Sequence, residues 1–139
     1  MNSFERTVDV LHRAMDVSTL RYNVAADNLS KSEVPNFKRT GVNFESELKK
    51  AFESEKRVKA DALIPDSEKP WKFRTETPID YRTIEPRRVK DYFTTEKANG
   101  NNVNAEQEAM DILKTQLNFR LLTQLQAFEF QQVRTALKK

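Results

Sequence analysis

The chain has 139 residues, of which 37% are hydrophobic and 32% are charged. This length suits one domain, and the hydrophobic share is low for a monomer that must bury its own core. The absence of cysteine excludes disulfide bonds and thiolate metal sites. No apolar run reaches the roughly 18 residues of a membrane-spanning helix, and the first residues lack the apolar core of a cleaved secretory signal. We therefore expect any export to use another route.

The formal net charge is +3, from 24 Lys and Arg against 21 Asp and Glu. Such a weak field argues against strong phosphate binding. The positive excess lies in the middle of the chain, where basic residues are interleaved with aromatic residues between Lys69 and Phe93. Aromatic and basic side chains together can stack nucleic acid bases, so a nucleic-acid-binding module remains an alternative function. A strand surface or a protein interface is the commoner meaning of this mixture.

Residues 1–34 are predicted to form an N-terminal helix that Pro35 ends. Its apolar residues recur at alternating intervals of about 3 and 4, which is typical of the seam of a coiled coil. The predicted seam consists of Phe4, Val8, Leu11, Met15, Tyr22 and Leu29.

Residues 35–104 form the predicted middle segment, which contains all five prolines of the chain. Within it, Phe44, Leu48 and Phe52 share one edge of a short amphipathic helix at 43–59. Residues 65–95 alternate between apolar and polar side chains, which predicts extended or β-like structure. Residues 97–102 are rich in Asn and Gly and are predicted to form a turn.

Residues 105–139 are predicted to form the C-terminal helix, with Asn104 as its N-cap and Gln107 in the capping-box position. The helix has two opposite apolar faces, whereas a surface helix of a monomer needs one. The face predicted to pair with the N-terminal seam consists of Met110, Leu113, Leu117, Leu121, Leu125 and Phe128. The face predicted to contact other subunits consists of Phe119, Leu122, Phe130, Val133 and Leu137.

The chain's own middle segment is the alternative cover for the second face. Glutamines between the apolar rows favour other subunits, because amides pair across a helix interface without the desolvation cost of charges. Together these patterns predict a mainly α protein. Its long N- and C-terminal helices pair as a coiled coil, with an irregular or short-stranded middle segment between them.

No set of residues predicts catalysis. The single histidine, His12, has no second histidine with which to form a metal pair, and two glycines are too few for a nucleophile elbow or a phosphate loop. Carboxylates alternate with lysines, as on a solvated face. We therefore expect no enzymatic activity, no catalytic or metal-binding residue and no cofactor.

The segment from Leu20 to Lys38, LRYNVAADNLSKSEVPNFK, resembles the N-terminal signature of bacterial flagellar axial proteins. The matching residues are Asn28, Leu29, Pro35, Phe37 and Lys38. Within that group, the stretch from Asn99 to Met110 and the tail from Leu117 to Leu137 are similar to the FlgB family of proximal rod proteins. Asn36 stands where the signature has glycine, and Asn tolerates the left-handed backbone that glycine would supply. We therefore expect the turn to be kept.

The resemblance implies a structural subunit of the flagellar basal-body rod, needed for motility, that self-assembles helically through its terminal helices. It also implies a periplasmic location in the rod, reached by type III export without a cleaved signal peptide. The implied partners are copies of the chain, other rod proteins such as FlgC, the rod adaptor FliE, the membrane ring and the export apparatus. Neither nucleic acid nor a small-molecule substrate is implied. A helical adaptor that binds one partner is a further alternative.

Phe44 and Leu48 are similar to the short Phe-x-x-x-hydrophobic element with which rod and hook subunits dock at the export gate. At positions i and i+4 the two side chains share one helical face. The alternative is a small structural contact with the terminal helices.

Overall fold

The computed structural model describes residues 2–64, 77–94 and 97–138. Its helices and strands are, in chain order, α1 (Ser3–Ser30), β1 (Thr40–Asn43), α2 (Glu45–Ala62), β2 (Arg87–Lys90) and α3 (Ala105–Leu137), with one 3-10 turn at Tyr81–Thr83. The two strands form a two-stranded sheet. The prediction of a mainly α protein with long terminal helices and a short-stranded middle segment is confirmed. Among the described residues, no helix combines the length and the apolar composition that crossing a membrane requires.

The chain divides into two compact units. The first unit comprises Met1–Val42 and Arg88–Lys139, and it contains α1 and α3. The second unit comprises Asn43–Arg87 and contains α2 and the 3-10 turn. Within the second unit, the ring of Phe52 on α2 lies 5.8 Å from the ring of Tyr81.

Helix α1 packs along α3 through contacts spread over most of its length. The rings of Phe4 and Phe130 meet edge to face with their centres 5.6 Å apart. Further along, the hydroxyl of Thr123 lies 3.9 Å from the sulfur of Met15, and the side-chain amide of Gln126 lies 2.5 Å from Nε2 of His12. The face of α3 that is turned toward α1 therefore carries Thr123, Gln126 and Phe130.

The predicted α3 seam is wrong. Its six residues, Met110, Leu113, Leu117, Leu121, Leu125 and Phe128, are between 44% and 66% exposed. The opposite face, which was predicted to contact other subunits, is the one that packs on α1: Phe130 contacts Phe4, and Leu122 and Val133 are half-buried. Phe119 lines a shallow groove together with Ser18 and Tyr22 of α1, while Leu137 is exposed at the helix end.

The composition of α1 explains why the other face of α3 packs on it. The side of α1 that meets α3 includes polar His12 as well as apolar Phe4 and Met15, and polar Gln126 and Thr123 of α3 contact it. A row of leucines offers no side chain that could hydrogen-bond to His12.

On α1 the predicted seam residues are half-buried, apart from Tyr22, which is exposed. The fully buried positions lie beside that seam: Val17, Ser18, Val24, Ala25 and Asn28. Three of them line a cleft that also has β1 as a wall, namely Val24, Ala25 and Asn28. Helix α1 thus contacts two neighbours, α3 and β1.

Element ends differ from the predicted bounds by a few residues. Helix α1, predicted to extend to residue 34, ends at Ser30, because a tight turn bonded to other parts of the chain begins at Lys31. The amphipathic helix predicted at 43–59 runs over Glu45–Ala62. Of the predicted extended segment 65–95, residues 65–76 and 95 lie outside the described residues.

Candidate functional site

The residues that carry the flagellar signature meet the Asn99–Met110 stretch in one junction of the first unit. The junction joins the end of α1, the turn that leads into β1 and the start of α3. Most of its bonds link residues more than sixty positions apart in the sequence. It fixes how the two terminal helices meet.

Asn28 holds β1 against α1. Its side chain is fully buried; the oxygen accepts a hydrogen bond from the Thr40 N–H at 3.0 Å, and the nitrogen donates to the Thr40 carbonyl at 2.8 Å. The same nitrogen donates to Oε2 of Glu108 on α3 at 3.2 Å. Because a carboxamide carries the donor and acceptor of a peptide group, Asn28 occupies the place of a neighbouring strand along β1.

Asn102 completes the end of the two-stranded sheet. The Asp91 N–H donates to the Arg39 carbonyl at 2.9 Å. The Arg39 N–H and the Asp91 carbonyl bond instead to one side chain, that of Asn102. The oxygen of Asn102 accepts from the Arg39 N–H at 2.6 Å, while its nitrogen donates to the Asp91 carbonyl at 2.9 Å. The strands are thereby bonded to the segment that leads into α3.

Asn101 ends α1. This fully buried side chain donates to the carbonyls of Lys31 and Val34, at 2.9 and 2.7 Å, and accepts from the Val103 N–H at 2.7 Å. Carbonyls at a helix C-terminus have no partner within the helix, so Asn101 supplies one from the other end of the chain. The early end of α1 follows from these bonds together with Pro35.

Two left-handed residues shape the turns of the junction. Asn36 has φ of 57° and Gly100 has φ of 78°, so the prediction that Asn36 keeps the turn of the signature is confirmed. The Asn36 N–H donates to the Asn99 carbonyl at 3.0 Å, and Nζ of Lys38 donates to the Gly100 carbonyl at 2.8 Å. The turn at Asn36 and the turn at Gly100, which are distant in the sequence, are thus bonded to each other.

The remaining signature residues have structural positions at the same place. Leu29 is half-buried on α1, and Pro35 is exposed in the turn. Phe37 is half-buried, with the ammonium of Lys31 5.4 Å from the centre of its ring. The structure therefore brings all five signature residues to the junction.

A charged cluster lies beside these amides. Glu108 is fully buried; its Oε1 pairs with Nε of Arg39, and Nη2 of Arg39 donates to Oδ2 of Asp111 at 2.9 Å. Burial lowers the pKa of Arg39, but the hydrogen bond to Glu108 and the charges of Glu108 and Asp111 outweigh it and raise that pKa above its ordinary value. Arg39 thus stays charged and links β1 to α3.

The start of α3 is capped as predicted. The Asn104 side chain accepts hydrogen bonds from the backbone N–H groups of Glu106 and Gln107, at 3.0 and 3.2 Å. The side chain of Gln107 takes a different role from the predicted capping-box arm and donates to Oδ1 of Asp111 at 3.4 Å.

Sequence reasoning missed the roles of Arg39, Asn101, Asn102 and Glu108. The Asn-rich run predicts a turn, a helix N-cap at Asn104 and a family resemblance, but no bond to a distant part of the chain, and Glu108 resembles the other solvated carboxylates. The available signal was the concentration of four asparagines at 99–104, since asparagine side chains bond readily to turn backbone.

A second feature is the α3 stripe, defined as Met110, Leu113, Leu117, Leu121, Leu125 and Phe128. It lies on the side of α3 opposite the contact with α1. Between Thr115 and Gln132, α3 carries only two charged residues, Arg120 and Glu129. At 1.5 Å per residue the stripe extends about 27 Å. Soluble monomers rarely leave such a continuous apolar surface uncovered.

The two residues of the predicted export element lie at the start of α2. Phe44 precedes the helix and is buried, whereas Leu48 is half-buried. The Leu48 N–H donates to the Phe44 carbonyl at 3.0 Å, so both belong to the same first turn. Among the described residues, no group of three or more His, Asp or Glu side chains is placed to hold a metal ion.

Comparison with models of protein families finds no match. Comparison with individual proteins finds three relatives, each called "Flagellar basal body rod protein FlgB". The protein of Borreliella burgdorferi is 40% identical over 139 residues, covering 99% of this chain and 100% of the relative. That of Borrelia hermsii is 38% identical over 138 residues, with coverage of 99% and 100%. That of Bacillus subtilis is 23% identical over 137 residues, with coverage of 99% and 97%. On this evidence, the chain belongs to the FlgB family of flagellar basal body rod proteins.

Proposed function

We propose that the chain is a structural subunit of the proximal rod that assembles helically, with the α3 stripe as its main contact with neighbouring subunits. The observation that carries this proposal is the pair of opposite apolar faces on α3. One face packs on α1, and the other, the α3 stripe, is 44% to 66% exposed. Membership of the FlgB family supports the same assignment.

The α3 stripe favours association on energetic grounds. Burying one large apolar side chain completely contributes roughly 1.5–3 kcal/mol. Six half-exposed side chains therefore offer several kcal/mol to a partner surface that is also uncharged. A contact between two different surfaces of identical subunits does not produce a closed dimer. It generates a filament when the rotation from one subunit to the next does not close a ring.

The proposed partners are copies of the chain, other rod proteins such as FlgC, the adaptor FliE and the membrane ring. The proposed location is the periplasmic rod, reached by type III export. The comparisons give no support to the nucleic-acid alternative.

Replacing Leu117 by Asp tests the assembly surface. Leu117 is 66% exposed, so we expect Leu117→Asp to fold and to be secreted like the unmodified chain. It should fail to enter the rod, because burying an unpaired charge in an interface costs about 3–5 kcal/mol. Ala127→Asp is the matched control, since it adds the same charge at an exposed position about 80° away around α3. Normal incorporation of Leu117→Asp would contradict the proposal.

We also propose that Phe44 and Leu48 form the export element. The variant with both residues changed to Ala should lose secretion while its level inside the cell persists. Leu63→Ala, which truncates an exposed leucine at the end of α2, is the control and should be secreted normally. Normal secretion of the double variant would show that these residues have only a structural role.

A further inference from the structure

The register of the two-stranded sheet shows which backbone groups of β2 point away from β1. The Asp91 N–H bonds to the Arg39 carbonyl, and Gly41 lies beside the Val89 carbonyl, so the strands run antiparallel. Backbone groups alternate in direction along a strand. Those of Val89 therefore face β1, whereas those of Arg88 and Lys90 face the opposite side.

The two outer edges of this sheet differ. Along β1, Asn28 bonds to both backbone groups of Thr40, and Arg21 donates to the Val42 carbonyl at 3.4 Å. That edge is closed by α1. Along β2, all residues are exposed, and within the described parts of the chain no further strand pairs with it.

The side chains around the open edge combine positive charge with apolar surface. Arg88 and Lys90 are exposed cations, and Val89 and Tyr92 are exposed beside them. Phe93 is 98% exposed, although it is held on a bonded turn in which the Asp91 carboxylate accepts from its N–H at 3.0 Å. Short, charged edge strands often serve to prevent unwanted pairing. Prevention of unwanted strand pairing does not explain why Val89, Tyr92 and Phe93 are all exposed at the same edge.

We propose that the outer edge of β2 binds an extended acidic segment of another protein as a third strand. The backbone of that segment would pair with Arg88 and Lys90, in the manner of strand addition to an exposed edge. Its carboxylates would neutralise the two cations, and its apolar side chains would contact Val89 and Tyr92. A second copy of the same edge is disfavoured, because it would place like charges opposite each other. The proposal is independent of the α3 stripe.

A designed peptide tests the proposal on the full chain. The probe has about ten residues with alternating Glu and Val, a length that spans one strand. It should slow hydrogen exchange of the Arg88 and Lys90 amides, and added salt should weaken its binding. The same peptide with its backbone amides N-methylated keeps its charge but cannot donate to a strand ladder, and it should bind at least about tenfold more weakly. Equal binding of the two peptides, or no protection by the first, would overturn the proposal.

Variants of the protein separate backbone pairing from charge. Lys90→Pro removes an outward N–H while leaving the bonds of Val89 to β1, and it should weaken peptide binding about tenfold or more. Lys90→Gln keeps the N–H and should cause a smaller loss that disappears at high salt. Equal losses in both variants would reduce the interaction to simple charge attraction and overturn strand addition. Protection of the same amides by a DNA duplex, without protection by the peptide, would also overturn it.

Discussion

The side chain of Asn28 bonds to both backbone groups of Thr40, accepting from the N–H at 3.0 Å and donating to the carbonyl at 2.8 Å. One residue of the flagellar signature thereby attaches the sheet to α1. Its further bond to Glu108 extends the attachment to α3. One buried amide thereby contacts β1 and both terminal helices.

Replacing Asn28 by Ala should lower the free energy of unfolding by about 3 kcal/mol, because the part-buried backbone groups of Thr40 and the buried carboxylate of Glu108 would lose a partner. Urea unfolding followed by circular dichroism measures this change. Asn23→Ala, at an exposed position of the same helix, is the control and should change stability by less than about 0.5 kcal/mol. Equal effects of the two substitutions would contradict the role given to Asn28.

The two glycines should respond differently to substitution by Ala. Gly100 has φ of 78°, and a Cβ there would lie 2.6 Å from Oδ1 of Asn36, whereas at Gly41 the nearest atom would be 3.9 Å away. We expect Gly100→Ala to cost about 1–2 kcal/mol, since L-residues are strained in the left-handed region, and Gly41→Ala to cost less than about 0.5 kcal/mol. Thermal unfolding of both variants tests the difference, and the reverse order would contradict the turn geometry.

Phe128 and Phe130 lie two residues apart on α3 and face opposite ways. Phe130→Ala removes the ring contact with Phe4 and should lower stability by about 2 kcal/mol, less than for a fully buried ring. Phe128→Ala truncates a residue of the α3 stripe and should leave the stability of the isolated chain within about 0.5 kcal/mol. A larger loss for Phe128→Ala in denaturant unfolding would restore the originally predicted seam.

The pKa of Asp91 is lowered, mainly by the Thr94 hydroxyl and then by the Phe93 N–H, both of which bond to the carboxylate. Its contribution to stability is thus present at pH above the ordinary aspartate pKa and is lost as the pH falls through the lower folded value. Thr94→Val should return the Asp91 pKa toward its ordinary value. A carboxyl NMR titration measures this shift, and an unchanged pKa in the variant would contradict the assigned cause.

Periodicity predicted the terminal helices and the two apolar faces of α3. It did not predict which face meets α1, because both faces are similarly apolar and the choice depends on polar partners such as His12 and Gln126. The bonds of the junction could not be predicted from local sequence patterns either. Asn101 bonds to Lys31, and Arg39 to Glu108, across about seventy residues of sequence, and spacing within a helix carries no information about such pairs.

The central claim is that the α3 stripe lies between subunits in the assembled rod. Site-specific photo-crosslinking in purified basal bodies tests it most directly, with the reactive group placed at Leu117 in one variant and at Thr123 in another. We predict that Leu117 crosslinks to other rod subunits, whereas Thr123, which faces Met15, crosslinks within its own chain. Crosslinks from Leu117 confined to its own chain, with those from Thr123 reaching other subunits, would contradict the claim.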